Sequence, residues 1–247
     1  MKLKYFCGVL LAAFFITVTL HGQASVTIYD PLIKDSPKDF TAAEEKLVTA
    51  KAVPKARTHW KDTGGCDDAE NFNIIGAASG AFTRKAASQS AILYELCQTG
   101  NGFANNGLAN IEAGKIVAHF VSEGGWNQSL VRLPDINKNG YDELAIETSG
   151  GMHQGYSGTS VTMVEVSAAA AKELGWFLTY TNECENGGPE EYCDRSYKIT
   201  VKPATAPVFY VQKYDNKGSD EITKWVVSGK RTTVKPKKGN FKYVFLK

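Results

Sequence analysis

The sequence predicts a mainly β protein, built of antiparallel sheets, with one short helix near its N-terminus. Beyond Pro54, apolar residues recur with a period of two in short runs, and clusters of Gly, Asn and Ser separate these runs at strand-like intervals. The composition is that of an ordinary globular chain, with 43% hydrophobic and 22% charged residues among 247. Such a composition disfavours disordered, collagen-like and multi-span membrane proteins.

The first 24 residues have the features of a secretory signal peptide. Lys2 and Lys4 precede an apolar stretch over residues 5–20, and the small residues Gly22 and Ala24 precede the expected cut. An uncleaved membrane anchor is the alternative, because the apolar stretch approaches the length of a span. We therefore expect an exported protein, periplasmic or extracellular, without membrane attachment after cleavage.

Cleavage would also balance the charge of the chain. The leader carries two lysines and no acid, so 26 basic and 26 acidic side chains remain. Nucleic-acid binding requires a concentrated basic face, which this balance does not provide. We expect no nucleic-acid partner, and a partner that is a protein or a glycan.

Residues 25–65 are predicted to form an N-terminal helical extension. Thr41 and Glu44 have the spacing of a capping box, and Pro54 is expected to end the helix. The β-rich domain follows over residues 66–247, and a subdivision near residue 176 is an alternative. An alanine-rich stretch over 168–174 is expected to form a helical turn or two. The predicted strands are 73–77, 90–97, 115–122, 129–133, 143–148, 160–167, 177–181, 197–201, 207–213, 221–228, 231–235 and 242–246.

Four cysteines remain after the leader: Cys66, Cys97, Cys184 and Cys193. An even number in an oxidising compartment predicts two disulfides. Cys184 and Cys193 flank a turn-rich stretch and could close a local loop, which would leave Cys66 with Cys97. The sequence leaves all three connectivities open, and a zinc site is the alternative, disfavoured because no CxxC spacing occurs.

The segment from residue 135 to 143 has the pattern of a calcium loop. Oxygen-bearing side chains fall at every second position, and Gly140 follows where a ligand loop must turn sharply. The predicted ligands are Asp135, Asn137, Asn139, the backbone carbonyl of Tyr141, and Glu143. The twelfth position is Ile146 rather than Glu, and the flanking residues alternate, so we expect the loop to connect two strands rather than two helices. The alternative is a plain hairpin turn at Asn139–Gly140 that needs no ion.

The motif Asp-x-Asn-x-Asn-Gly-x-Asp-Glu-Leu, beginning at Asp135, is similar to the calcium loop of FG-GAP and VCBS repeats. These repeats are the blade units of integrin-alpha-like β-propellers, and the similarity covers residues 126–166. It implies blade-like antiparallel sheets, in a divergent or partial β-propeller-like domain, and a structural calcium ion. Asn139 stands where the family often has Asp, so only two carboxylates would bind the ion. This favours weak affinity, on the order of 0.1–1 mM.

A glycine-rich stretch follows over residues 150–160, where His153, Gln154, Tyr156 and Ser157 are candidate ligand contacts. His153 could act as a general base in a secreted hydrolase. However, the sequence has no Gly-x-Ser-x-Gly elbow and no acid placed to orient this histidine. We assign no catalytic residue, and a role other than catalysis is favoured.

The leading functional prediction is an exported β-rich binding or interaction module, with a structural calcium loop and two disulfides. A secreted hydrolase, a periplasmic inhibitor and a carbohydrate-binding protein are the alternatives. The last would require exposed, coplanar tryptophans among Trp60, Trp126, Trp176 and Trp225. His119 lies on the same strand face as Val117 and Val121, and is expected to be a structural residue.

Overall fold

The computed structural model describes residues 24–33, 40–61, 66, 72–153, 156–182, 194–218, 222–239 and 242–247, with only the backbone at 152, 153 and 156. The helices are α1 (Ala42–Leu47) and α2 (Val53–Trp60), joined by a π-helical turn at Val48–Ala52. The strands are β1 (Val26–Tyr29), β2 (Asn73–Gly80), β3 (Gln89–Gly100), β4 (Phe103–Glu112), β5 (Lys115–Gly124), β6 (Trp126–Leu133), β7 (Glu143–His153), β8 (Tyr156–Val166), β9 (Ala171–Asn182), β10 (Asp194–Lys202), β11 (Val208–Asn216), β12 (Trp225–Val227), β13 (Thr232–Val234) and β14 (Val244–Phe245). Within these residues no helix is long and apolar enough to cross a bilayer.

The predicted fold class is confirmed: the chain is mainly β, and its strands form two antiparallel sheets. The small sheet has the order β14-β5-β4-β3-β2. The large sheet has the order β12-β11-β10-β9-β8-β7-β6, with β1 added on β10 and β13 on β11. Each sheet contains a meander of at least four consecutive strands, consistent with a partial β-propeller-like fold. All twelve predicted strands form, and β1 and β4 are additional.

The large sheet curls strongly into a half-barrel. Only the first residues of β10, Asp194 to Ser196, pair with β9, whereas its later residues pair with β1. Strand β1 also contacts β6, at the opposite end of the strand order. Most of the enclosed interior is apolar, with Met163, Phe177 and Ile199 among its buried residues. The sheet is continuous across residue 176, because β9 pairs with both of its neighbours.

Two apolar layers cover the faces of the small sheet. One lies between the sheets and includes Phe120 from β5 and Leu144 and Ile146 from β7. The other lies under the helices, where Val48 and Ala56 are buried. Because both faces are covered, β4 is buried along almost its whole length.

The capping box of the helix is confirmed. The backbone N–H of Glu44 donates to the Thr41 hydroxyl at 3.2 Å, and the backbone N–H of Thr41 donates to the Glu44 carboxylate at 2.7 Å. The expectation that Pro54 ends the helix is wrong, because the helix continues to Trp60. The π-helical turn places Pro54 in the first turn of α2. Proline is tolerated there, because the N–H group that it lacks would have no acceptor within α2.

The expected helical turn at residues 168–174 is also wrong. The hydroxyl of Ser167 accepts a hydrogen bond from the backbone N–H of Ala170 at 3.0 Å, and the backbone N–H of Ser167 donates to the Ala170 carbonyl at 2.7 Å. This tight turn directly joins β8 to β9, which starts at Ala171. The local side-chain bond competes with helix formation, although alanine favours helices.

A disulfide joins Cys66 to Cys97, as one of the predicted pairings requires, and ties the segment before β2 to β3. The Asn105 amide donates to the Cys66 sulfur at 3.2 Å. Cys184 and Cys193 lie outside the described residues.

Tyr94 and His119 form a buried pair in the layer under the helices. The Tyr94 hydroxyl lies 2.6 Å from Nε2 of His119, which is 3% exposed, so His119 is a structural residue, as predicted. Burial lowers the pKa of His119 to about 4, and the positive charge of Lys55 adds to this effect. The Tyr94 ring lies against Gly107 of β4, where a Cβ atom would be 2.1 Å from the Tyr94 Cζ atom.

We expect Gly107→Ala to lower the free energy of unfolding by about 2–3 kcal/mol, because the methyl group overlaps the Tyr94 ring in a close-packed layer. Gly150→Ala is the matched control, since a Cβ atom there has no neighbour closer than 4.0 Å. Urea unfolding followed by circular dichroism measures both changes. Equal effects at the two positions would contradict this account of Gly107.

Candidate functional site

The predicted calcium loop connects β6 and β7, as expected, and its two ends meet because Leu133 pairs with Glu143. Two residues of the loop adopt left-handed backbone conformations, Lys138 with φ 64° and Gly140 with φ 93°. These two residues reverse the direction of the chain, and a left-handed position favours glycine.

The carboxylate of Asp135 lies at the centre of the loop. Its two oxygens accept hydrogen bonds from the backbone N–H groups of Asn139 and Gly140, at 2.9 and 3.0 Å. The side-chain oxygen of Asn137 accepts from the Asn139 N–H at 3.1 Å, and that of Asn139 accepts from the Tyr141 N–H at 2.9 Å. The loop therefore folds around the oxygens of its first three predicted ligands.

Glu165 is a residue of the site that the sequence analysis missed. Its Oε2 atom accepts hydrogen bonds from the side-chain amides of Asn137, at 2.9 Å, and Asn139. Glu165 lies far from the loop in sequence, but it is the direct partner of Glu143 in the β7–β8 pairing. Only the register of these two strands could have identified it.

Glu143, the last predicted ligand, is fully buried. Its Oε2 atom accepts from the backbone N–H of Ile136 at 2.9 Å, whereas its Oε1 atom has no hydrogen-bond partner among the described residues. Burial raises the pKa of Glu143 to about 7, and the negative charges of Asp135 and Glu165 add to the shift. A buried carboxylate oxygen without a hydrogen-bond partner lowers the stability of the folded protein.

Asp142, next to Glu143, differs from it because both of its carboxylate oxygens have hydrogen-bond partners. Its carboxylate accepts hydrogen bonds from the Arg132 guanidinium at 2.9 and 3.1 Å, and from the backbone N–H groups of Ala81 at 2.8 Å and Asp135 at 3.3 Å. Burial alone would raise the pKa of Asp142, but these donors hold it below its ordinary value. Asp142 thus anchors the loop and is not available as a ligand.

The donor set suits a hard cation such as calcium, which prefers oxygen ligands. No group of three or more His, Cys, Asp or Glu side chains among the described residues is arranged as a metal site. A cation at this loop would therefore depend on the amide oxygens of Asn137 and Asn139 and the carbonyl of Tyr141, besides Asp135 and Glu143. One buried oxygen of Glu143 has no hydrogen-bond partner among the described residues, and this is the observation that fits such an ion.

The candidate ligand contacts of the glycine-rich stretch are not brought to this loop. Ser157 is half-buried near the start of β8, whereas Glu165 is near its end. Gln154 lies outside the described residues, as do the side chains of His153 and Tyr156.

The four tryptophans are all partly buried. Trp60 has an edge contact with His59, Trp225 has one with Tyr180, and Lys237 lies 4.8 Å from the centre of the Trp176 ring. Trp60, Trp176 and Trp225 thus each have ring neighbours of their own.

The raised pKa of Glu143 predicts that the calcium-free protein loses stability as the pH rises. An unfolded glutamate titrates near 4.5, and the folded group near 7. Between these values the folded chain binds more protons than the unfolded chain, so the free energy of unfolding falls with rising pH, by up to about 3 kcal/mol. Urea unfolding in a calcium chelator, from about pH 4.5 to about pH 8, measures this fall.

Glu143→Gln should remove most of this fall, because the amide stays uncharged. Glu123→Gln, at an exposed position of β5, is the matched control and should leave it unchanged. If the free energy of unfolding changes with pH in the same way in the native protein and in Glu143→Gln, Glu143 is not the cause of the fall.

Comparison of the chain with protein-family models, with curated proteins and with solved structures finds no match.

Proposed function

We propose that this protein is an exported β-rich interaction module in which calcium, bound by the loop from Asp135 to Glu143, rigidifies the connection between β6 and β7. The ion has a structural role, and the module's partner is a protein or a glycan. The leader-like N-terminus and the Cys66–Cys97 disulfide support export.

The main support for the proposal is the buried carboxyl group of Glu143. One of its oxygens has no hydrogen-bond partner among the described residues, and burial, together with the carboxylates of Asp135 and Glu165, raises its pKa. Three acidic groups close together repel one another when all are ionised. A cation at this point would offset the repulsion and give the buried oxygen a ligand bond.

The hydrogen bonds of the loop support the same ligand set. The amide groups of Asn137 and Asn139 are each held by Glu165 through their nitrogen, which fixes the orientation of the side chains. A ligand set that is ordered in advance loses less conformational entropy on binding. Because only Asp135 and Glu143 would bring carboxylates to the ion, we expect a dissociation constant on the order of 0.1–1 mM.

Calorimetric titration of the exported, oxidised protein with calcium tests the proposal. We expect one equivalent to bind, and calcium at about ten times its dissociation constant to raise the melting temperature by about 3–5 °C. Asp135→Asn and Glu143→Gln should each abolish both effects, because they remove the charged ligands.

Glu123→Gln is the matched control, because Glu123 is an exposed acidic residue on β5 of the small sheet. This variant should bind calcium and melt like the native protein. If the native protein shows no heat of binding and melts at one temperature with calcium and with a chelator, the loop is a plain hairpin turn.

A further inference from the structure

A cavity of about 460 Å³ lies between the helical segment and the small sheet. Strand β14 pairs with β5 at Phe120 and Val121, and the Leu246 N–H donates to the His119 carbonyl at 2.8 Å. Closer to the start of β5, no described strand pairs with it on this side. The cavity lies beside this unpaired edge, whereas the calcium loop connects two strands of the large sheet.

Part of the cavity wall is apolar. The side chains that form this part come from α1, β5 and β14, and they are Leu47, Ile116, Val117 and Phe245. Val117 is the extra residue of a bulge, because both of its neighbours on β5 have partners on β4 and it has none. Its side chain is 38% exposed. An apolar ligand group in contact with this wall would remove such surface from water.

The charged side chains of the described wall are all lysines: Lys51 from the π-helical turn, Lys55 from α2, Lys115 from β5, and Lys247. The described lining includes no aspartate or glutamate. Lys55 is already engaged, because its ammonium group donates to a main-chain oxygen of Lys247 at 3.0 Å. The side chains of Lys51 and Lys115 have no ion pair with another described residue. These two ammonium groups are therefore available to a ligand.

His119 adds a buried nitrogen to the same wall. Its Nε2 atom lies 2.6 Å from the Tyr94 hydroxyl, whereas its Nδ1 atom has no hydrogen-bond partner among the described residues. When the Tyr94 hydroxyl donates to Nε2, the single ring proton of the neutral imidazole lies on Nδ1. Burial, and then the positive charge of Lys55, lowers the pKa of His119, so this ammonium group lies near the ring. The cavity thus combines unpaired positive charges with a buried N–H group that lacks an acceptor.

We propose that this cavity binds a small organic anion: a carboxylate group on an apolar body. The carboxylate accepts charge-assisted hydrogen bonds from the ammonium groups of Lys51 and Lys115, and the Nδ1–H group of His119 is a third donor. Its negative charge offsets the repulsion among the lysines. The apolar part of the wall covers the body of the ligand, as in other small-molecule sites. The proposal does not depend on calcium, because the calcium loop contributes no residue to the described lining.

Two-dimensional NMR of the exported, oxidised protein, titrated with sodium hexanoate at neutral pH in a calcium chelator, tests the proposal. We expect amide shifts confined to the helical segment around Lys51 and to the start of β5, and a shift of the Nδ1 resonance of His119. Hexanol has the apolar body without the charge, and acetate has the charge without the body. Each should bind at least about tenfold more weakly than hexanoate.

The double variant Lys51→Met/Lys115→Met keeps an apolar side chain at both positions and should weaken hexanoate binding by at least about tenfold. Lys172→Met/Lys224→Met is the matched control, because it removes two charges at exposed positions outside the cavity, and it should bind like the native protein. Equal affinity of the first double variant, binding of hexanol or acetate as tight as that of hexanoate, or no localised shifts with hexanoate would overturn the proposal.

Discussion

The arrangement of the two sheets depends on the carboxylate of Asp142. Four N–H donors converge on it, from the Arg132 guanidinium, the loop residue Asp135, and Ala81 directly after β2. The last of these bonds joins the large sheet to the small one, and the Asp142 N–H returns a bond to the Ala81 carbonyl at 3.0 Å. Gly80 permits this approach, because a Cβ atom there would lie 2.7 Å from the Asp142 carboxylate.

This anchor also explains why the neighbouring glutamate is so deeply buried. Successive side chains of a strand point to opposite sides, so fixing Asp142 toward the small sheet turns Glu143 toward the half-barrel interior. There it meets Asp135 and Glu165, and one of its oxygens lacks a partner among the described residues. The acidic site is thus a consequence of how the sheets are joined.

The strands that the sequence predicted correctly are those with alternating apolar and polar residues, because one of their faces is buried and the other is not. Strand β4 lacked this signal: both of its faces are covered, and Asn105, Asn106, Gly107 and Asn110 resemble a loop in composition. Strand β1 is only four residues long and is held by partners distant in sequence. The local sequence pattern of a strand shows neither whether its second face is buried nor which distant strand pairs with it.

The same distinction separates the predicted and missed parts of the candidate sites. Asp135, Asn137 and Asn139 belong to one contiguous loop, so their spacing alone indicates a common centre. Glu165 joins them through the β7–β8 register.

The pairing of β1 with β10 has a consequence for how the protein folds. Val26 lies beside Val201, so this contact closes a loop that contains most of the chain. Contacts between distant residues form slowly, since the entropy of loop closure is lost before the contact is gained. During synthesis, β1 emerges first but has no partner until β10 follows. We therefore expect the meanders of both sheets to assemble before β1 pairs with β10, and this pairing to be among the last parts of the native structure to form.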